Sequence, residues 1–429
     1  MMTTLLHWLR EHAITHIECL IPDLNAQARG KLVPVTHYPA EGELRFPQVS
    51  LIQSWMGDPQ QQLVPDNDPD LRLQPDLATL SVKPGPGRRI AQLIHDCYSD
   101  SGQLLETAPR SVLKRVLARF EALGFTPVVA PEIEFYLLDA QGRPHESVGP
   151  AYAVDHSARY EPFFAALEQA CHQQGIATDT LLHEVGNGQY ELNLQHGPAL
   201  ALADQVFLLK RTLRQLASQH GLQACFMAKP FPGQPGSAMH IHQSLLDSQG
   251  NNAFSQADGS EHPRFHHYIG GLQRYLPQAM LLFAANPNAY RRLCAHSAAP
   301  INVEWGYDNR SCGLRVPVCQ PQARRVENRL PGIDANPYLA LAATLACGLL
   351  GMEQACEASR PRSDSAYQQA ATLPDSQQTA MQAFARAPVL HDVLGPDFAR
   401  TFLALKQVEQ QHFQQQVTAW EWQYLAHQA

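Results

Sequence analysis

Two periods of apolar residues alternate along this chain, and the points where one gives way to the other mark its elements. Helical spacing predicts a helix over 3–12, and strands follow at 16–21 and 30–35 around a polar turn at 23–29. A proline-rich, acidic stretch at 63–69 precedes strand-like pieces at 78–82 and 91–98, and 99–108 reads as a linker. Pro109 suits the first turn of a helix with Val112, Val116, Leu117 and Phe120 as its stripe and Gly124 at its end. Beyond it, strands are predicted at 127–138, 177–184, 189–194, 223–228, 238–245, 313–318 and 324–330. Helices are predicted at 162–174, 199–220, 263–285, 336–358, 396–417 and 418–428. No internal repeat appears.

Composition narrows the setting. A chain of 429 residues, 45% hydrophobic and 17% charged, has the size of two domains and the makeup of a soluble globular protein. Net charge is −8, and no basic block offers a footprint for a phosphate backbone, so nucleic acid is not an expected partner. Nine cysteines are scattered without a CxxC pair and read as free thiols in a reducing compartment. The first twenty residues mix His, Arg and Glu into their apolar positions, unlike a signal peptide. The longest uncharged run, at 338–352, is too short to span a membrane comfortably and reads as a buried helix. A cytoplasmic location is expected.

The candidate chemistry lies in acids and arginines. Glu132 and Glu134 are two apart in a strand, so both carboxylates share a face. Burying that pair is costly without a compensating charge, and a divalent cation is the simplest one. Taken alone, a solvated strand face explains them as well. Glu184 and Glu191 flank a tight turn with Gly186 and Gly188, and His240 and His242 share another strand face. Glu327 lies between Arg325 and Arg329, where a salt-bridged ladder is the plainer explanation. Arg292, Arg310, Arg315, Arg325 and Arg329 fall close together, and each can fork onto carboxylate or phosphate. No Walker A motif and no GxGxxG after a strand is present, so metals and arginines must hold any bound ATP.

In order, PEIEF, EVGNGQYELN, SAMHIHQSL, NRSCGLRVP and RRVENRLPGIDANPYLALAA resemble the glutamine synthetase family, from Ala108 to the end. DLNAQARGK resembles its smaller N-terminal domain. The resemblance implies an α+β fold. A β-grasp-like domain over 1–100 precedes a catalytic domain over 108–429, with a curved antiparallel sheet flanked by helices. It also implies ring assembly, usually as a homododecamer, with active sites between adjacent subunits. Glu134, Glu184 and Glu191 match ligands of a first metal, and Glu132, His240 and Glu327 those of a second, with Mg2+ or Mn2+ expected. Arg292 matches the arginine for the α-carboxylate of glutamate, Gly236 a contact to its amino group, and Arg329 the arginine near its γ-carboxylate. Arg310, Arg315 and Arg325 match phosphate-binding arginines, and His242 and Ser244 contacts near ATP. The implied chemistry is phosphorylation of glutamate followed by attack of an amine.

The departures from that family concern the amine. The acidic flap position reads Ala298, within RLCAHSAAP, and FPQVS at 46–50 lacks the acid of an F-D-G-S-S stretch. The acids that hold ammonium are therefore missing while the metal ligands remain, which points to a polyamine or monoamine as substrate. The segment Trp305-Gly306-Tyr307-Asp308-Asn309-Arg310 resembles the glutamylpolyamine synthetase branch, and Trp305 is expected to help hold an ammonium by cation–π contact. Glu304, Asp308 and His296 are candidates for the group that takes the amine's proton. Pro235 precedes Gly236 where the family usually has asparagine, and Gln322 and His196 replace a lysine and an aromatic residue near the nucleotide. No counterpart of an adenylylated tyrosine loop appears. Two other readings stay open: an ammonia-using glutamine synthetase, and a non-catalytic assembly protein on the same scaffold.

Overall fold

The computed structural model describes residues 2–38, 43–85, 87–144 and 150–428. The N-terminal part is a six-stranded mixed sheet. Its central strands, His16–Pro22 and Ile90–Tyr98, run parallel, while Ala28–Pro34, Asp70–Pro75, Leu44–Pro47 and Ser81–Val82 pair antiparallel around them. The helix Met2–Glu11 covers one face, burying Leu5 and Leu9 with Ile17, Ala91 and Leu93.

The larger part is a nine-stranded sheet built on one long strand, Thr126–Asp139. On one edge its first half pairs with Ile241–Leu246, and its last residues pair with Leu222–Cys225. On the other edge, Glu132 to Tyr136 pair with Gln189–Leu194, whose own hairpin partner is Thr178–His183. Val326–Asn328, Leu314–Val316 and Trp305–Tyr307 extend the sheet past Ile241–Leu246. The expectation of a wholly antiparallel sheet needs one correction, since Trp305–Tyr307 runs parallel to Leu314–Val316.

The helices Pro109–Ala122, Ala199–Gln219, Pro263–Phe283 and Pro337–Glu353 back this sheet. Every residue of Pro337–Glu353 up to Gly351 is buried, which explains an apolar run with no polar face. It approaches Pro263–Phe283 closely because both carry glycines at the crossing: a Cβ on Gly271 would lie 2.4 Å from the Cα of Gly351. No helix of the described residues is long and apolar enough to cross a membrane.

One buried arginine ties the N-terminal sheet to the helices that back the larger one. Arg110, at the start of Pro109–Ala122, donates to Asp96 at the end of the N-terminal sheet (2.5 Å) and to Asp76 (2.6 Å). It also forks onto both oxygens of Asp204 on Ala199–Gln219 (3.0 and 2.9 Å), and Tyr338 donates to Asp204 from a further helix (2.7 Å). Replacing Arg110 by methionine strands Asp204 as a buried acid without a cation and leaves Asp96 to Lys114 alone. We expect a loss of about 3–5 kcal/mol in urea unfolding; a change within experimental error would show that the cluster does not join the domains.

Candidate active site

Strand register builds the site row by row. Glu134 stands directly opposite Glu191 on the neighbouring strand, and Glu132 lies opposite Asn193. On the other edge the Glu132 N–H donates to the His240 carbonyl (2.9 Å). One row further, His242 faces Glu327, which in turn faces Arg315. Like charges placed directly across a sheet repel, so this face is built against its own stability unless a cation balances it. Glu184 joins from the mouth of the hairpin. Gly186 there is required by close approach, since a Cβ would meet the Tyr136 hydroxyl at 2.2 Å.

The side chains converge. His240 Nδ1 lies 3.0 Å from Glu132, 3.9 Å from Glu134 and 3.8 Å from Glu327. His242 Nε2 lies 2.9 Å from the other oxygen of Glu132. Ligand atoms of Glu132, Glu191 and His240 fall within 4.8 Å of one another, as do those of Glu132, His242 and Glu327. Glu132 belongs to both groups and is the pivot between them. These groups cut across the expected division of ligands, in which Glu134, Glu184 and Glu191 form one set and Glu132, His240 and Glu327 the other: Glu191 falls with Glu132 and His240, and His242 takes a place beside Glu327.

The acids respond to their crowding. Burial, with repulsion from Glu132, Glu134 and Glu184, pushes Glu191 up to about 9. Burial, with Glu184 nearby, pushes Glu134 up to about 8 although the Ala238 N–H donates to it (2.7 Å). Burial also raises Glu184. Glu132 and Glu327 behave oppositely. Burial opposes their charge, but His240 and His242 hold Glu132 well below the usual carboxylate range, and Arg329 holds Glu327 at about 2. Two protonated acids among five carboxylates, with an imidazole beside them, fit a set of hard-metal donors.

Two cavities meet here. The larger, about 1050 Å3, is lined by Glu132, Glu134, Glu184, Glu191 and His240, with Gly236, Arg292, Ala298, Arg310, Arg315 and Arg329. The smaller, about 650 Å3, is lined by His242, Ser244 and Arg325, with His196 and Gln322. Glu132 and Asn193 line both. Sequence reasoning thus grouped Arg325 with Arg310 and Arg315, whereas it lies in the neighbouring chamber.

The arginines differ in how far they are already satisfied. Arg315 donates to Glu327 (2.9 Å) and Asp308 (2.7 Å), and Arg329 to Glu327 (2.5 Å) and the Ala298 carbonyl (3.2 Å). Arg292 is buried, bonds only the Leu330 carbonyl, and leaves Nε without a partner. Burial lowers it to about 10, so an arriving anion is its natural complement. Trp305 requires correction: it is 1% exposed, its indole N–H donates to the Ser359 carbonyl (2.8 Å), and it lines neither chamber. A buried β-strand position had been mistaken for a pocket wall. Tyr152, Lys229 and Gln189 line the larger chamber and were not anticipated, since nothing in their local sequence marks them.

The catalytic-domain model of glutamine synthetase matches residues 106–425. The chain belongs to the glutamine synthetase family. It is accordingly an ATP-dependent carbon–nitrogen ligase. It is 30% identical over 426 residues to the γ-glutamylputrescine synthetase PuuA of Escherichia coli K12, covering 95% of this chain and 90% of that one. It is 30% identical over 440 residues to a glutamate–isopropylamine ligase of a Pseudomonas species, covering 96% and 95%. Glutamine synthetases of archaea and bacteria match as well. The solved structure of GmaS in complex with ADP superposes with a TM-score of 0.87 at 28% identity, covering 98% of each chain.

Binding of a dication must expel the protons that Glu134 and Glu191 carry at pH 7, because their folded values lie above it. Metal affinity should therefore tighten as pH rises through 8 and 9. Calorimetric titration of Mn2+ at pH 7 in two buffers of different ionisation enthalpy should report release of roughly one to two protons per chain; proton-neutral binding would contradict the crowded geometry.

Proposed function

We propose that this chain joins glutamate to a carbon-bearing amine, a polyamine or a monoamine, forming a γ-glutamylamide with ADP and phosphate. The observation that carries this reading is the wall beside Ala298. Among the described residues, every carboxylate lining the larger chamber belongs to the metal-candidate set, and the neighbours of Ala298 there are His296, Ser297 and Ala299. An ammonium pocket needs an acid at that place, and a methyl group leaves room for an alkyl chain. The names of the putrescine and isopropylamine ligases support the same reading.

In this reading Arg292 receives the α-carboxylate of glutamate. Its guanidinium is fixed by burial, and Gly236 lets its stem pack close: a Cβ there would meet Arg292 Cγ at 2.4 Å. Arg329 meets the γ-carboxylate, and Arg310 and Arg315 screen the phosphoryl group in transfer. ATP occupies the smaller chamber beside His242, Ser244 and Arg325, so its terminal phosphate arrives at Glu132, which both chambers share. Mg2+ or Mn2+, two or more per site and held by Glu132, Glu134, Glu184, Glu191, His240 and Glu327, supplies Lewis-acid charge for that phosphate. The N-terminal sheet over 1–100 is read as β-grasp-like and 108–429 as the catalytic domain. Subunits are read as forming a homododecameric ring in the cytoplasm.

Phosphate release with glutamate, Mg-ATP and a panel of amines tests the proposal. Putrescine, spermidine or a small alkylamine should be turned over at a kcat/KM at least ~10-fold above ammonia, and the variant Ala298→Glu should erase that preference by ~10-fold or more by filling the space. Turnover with ammonia and with no member of the panel would overturn the reading.

A further inference from the structure

An alkylammonium attacks nothing until it loses a proton. With a lysine-like pKa near 10.4, only about 1 molecule in 2,500 is neutral at pH 7. The chamber must therefore offer a proton acceptor that is not already holding a metal. Of the acids near the flap, Glu304 is engaged by Arg362 (3.3 Å) and lines neither chamber. Asp308 accepts from Arg315 (2.7 Å) and lines neither chamber as well. His296 lines the larger chamber within two residues of Ala298.

The local backbone singles out the same residue. His296 and Ala298 both adopt left-handed conformations, with φ of 61° and 59°. Neither is glycine, and such conformations are unfavourable for them. Two in three residues give a tight double turn, anchored at both ends. Ser297 Oγ donates to the Cys294 carbonyl (2.5 Å), Arg329 donates to the Ala298 carbonyl (3.2 Å), and Tyr367 donates to the Ala299 carbonyl (3.1 Å). The Tyr367 ring also packs on His296, with centroids 5.0 Å apart. The imidazole is thus held at the chamber wall while its outer side is open to water.

Resting on the amine-ligase reading above, we infer that His296 is the proton acceptor for the incoming amine. The balance is complete with groups already named. One N–H proton of the alkylammonium passes to an imidazole nitrogen and on to water at the exposed side. The neutral nitrogen forms a bond to the γ-carbonyl carbon of the glutamyl phosphate as the bond from carbon to phosphate oxygen breaks. The second N–H proton leaves with the phosphate, which departs as hydrogen phosphate. Imidazole is the side chain best matched to such a transfer near neutral pH. The charged and titratable groups around it are Tyr367 against its ring, Arg329 on the Ala298 carbonyl, and Tyr152, Lys229, Arg292, Arg310, Arg315 and the metal-candidate acids lining the same chamber.

The test compares His296→Gln with the unaltered enzyme, using its best amine and, separately, hydroxylamine, whose nitrogen is already neutral at pH 7. The variant should lose about 10²-fold or more in kcat/KM for the amine at pH 7. The deficit should shrink towards pH 10 as free amine replaces the missing acceptor, while hydroxylamine turnover stays within a few-fold. An equal loss with both nucleophiles would mean that His296 only shapes the flap, and no loss would remove it from the reaction; either result overturns the inference. Should the unaltered enzyme use ammonia and no carbon-bearing amine, the parent reading falls first, and that outcome is visible before any variant is made.

Discussion

Mutual repulsion among five crowded carboxylates, three buried and two half-buried, is the constraint around which this molecule is arranged. Glu134 and Glu191 are set opposite each other by backbone pairing, so neither can retreat without breaking the ladder. Glu132 lies two residues along the same strand and is shared by two imidazoles. A sheet face of this kind is tolerable only with protons, with arginines or with metal cations on it. Arginines stand on Glu327, burial and mutual repulsion push Glu134 and Glu191 towards their neutral forms, and the donor set suits metal cations.

Much else follows from keeping that face rigid. The strand Thr126–Asp139 is long enough to change partners along both edges, so four other strands register on it and each carries its side chains to a fixed place. Close glycine crossings and the helix Pro337–Glu353, buried up to Gly351, stiffen the layer behind. Two chambers open on either side of Glu132, which lets two reactants approach one charged centre from separate directions. Arg292 lines the larger chamber as a buried cation whose Nε has no hydrogen-bond partner, and the flap at Ala298 presents a methyl group where the chemistry of ammonium would call for an acid.

The sequence made the metal-candidate set legible because its members lie at strand spacing. Glu132 with Glu134, and His240 with His242, advertise a shared face by period alone, and their order along the chain completed the picture. The long helices were equally plain, since an apolar stripe repeated over many residues has few other readings. Leu44–Pro47 and Asp70–Pro75 were not seen because prolines and arginines interrupt their alternation; their place is settled by pairing, Leu44–Pro47 with Asp70–Pro75 and Asp70–Pro75 with Ile90–Tyr98. Gln377–Ala385 and Pro388–Leu394 are too short to show a period. Trp305 misled because sequence adjacency to arginines says nothing about which way a strand residue faces. The separation of Arg325 from Arg315 is likewise a matter of which side of Glu132 each side chain leaves the sheet.

The most direct measurement is the anomalous difference map of crystals soaked in Mn2+. The account predicts two peaks per chain on either side of Glu132, one within bonding distance of Glu134 or Glu191 and the other of His240 or Glu327. A map with no peak at Glu132, while Mn2+ is found elsewhere on the molecule, would contradict it.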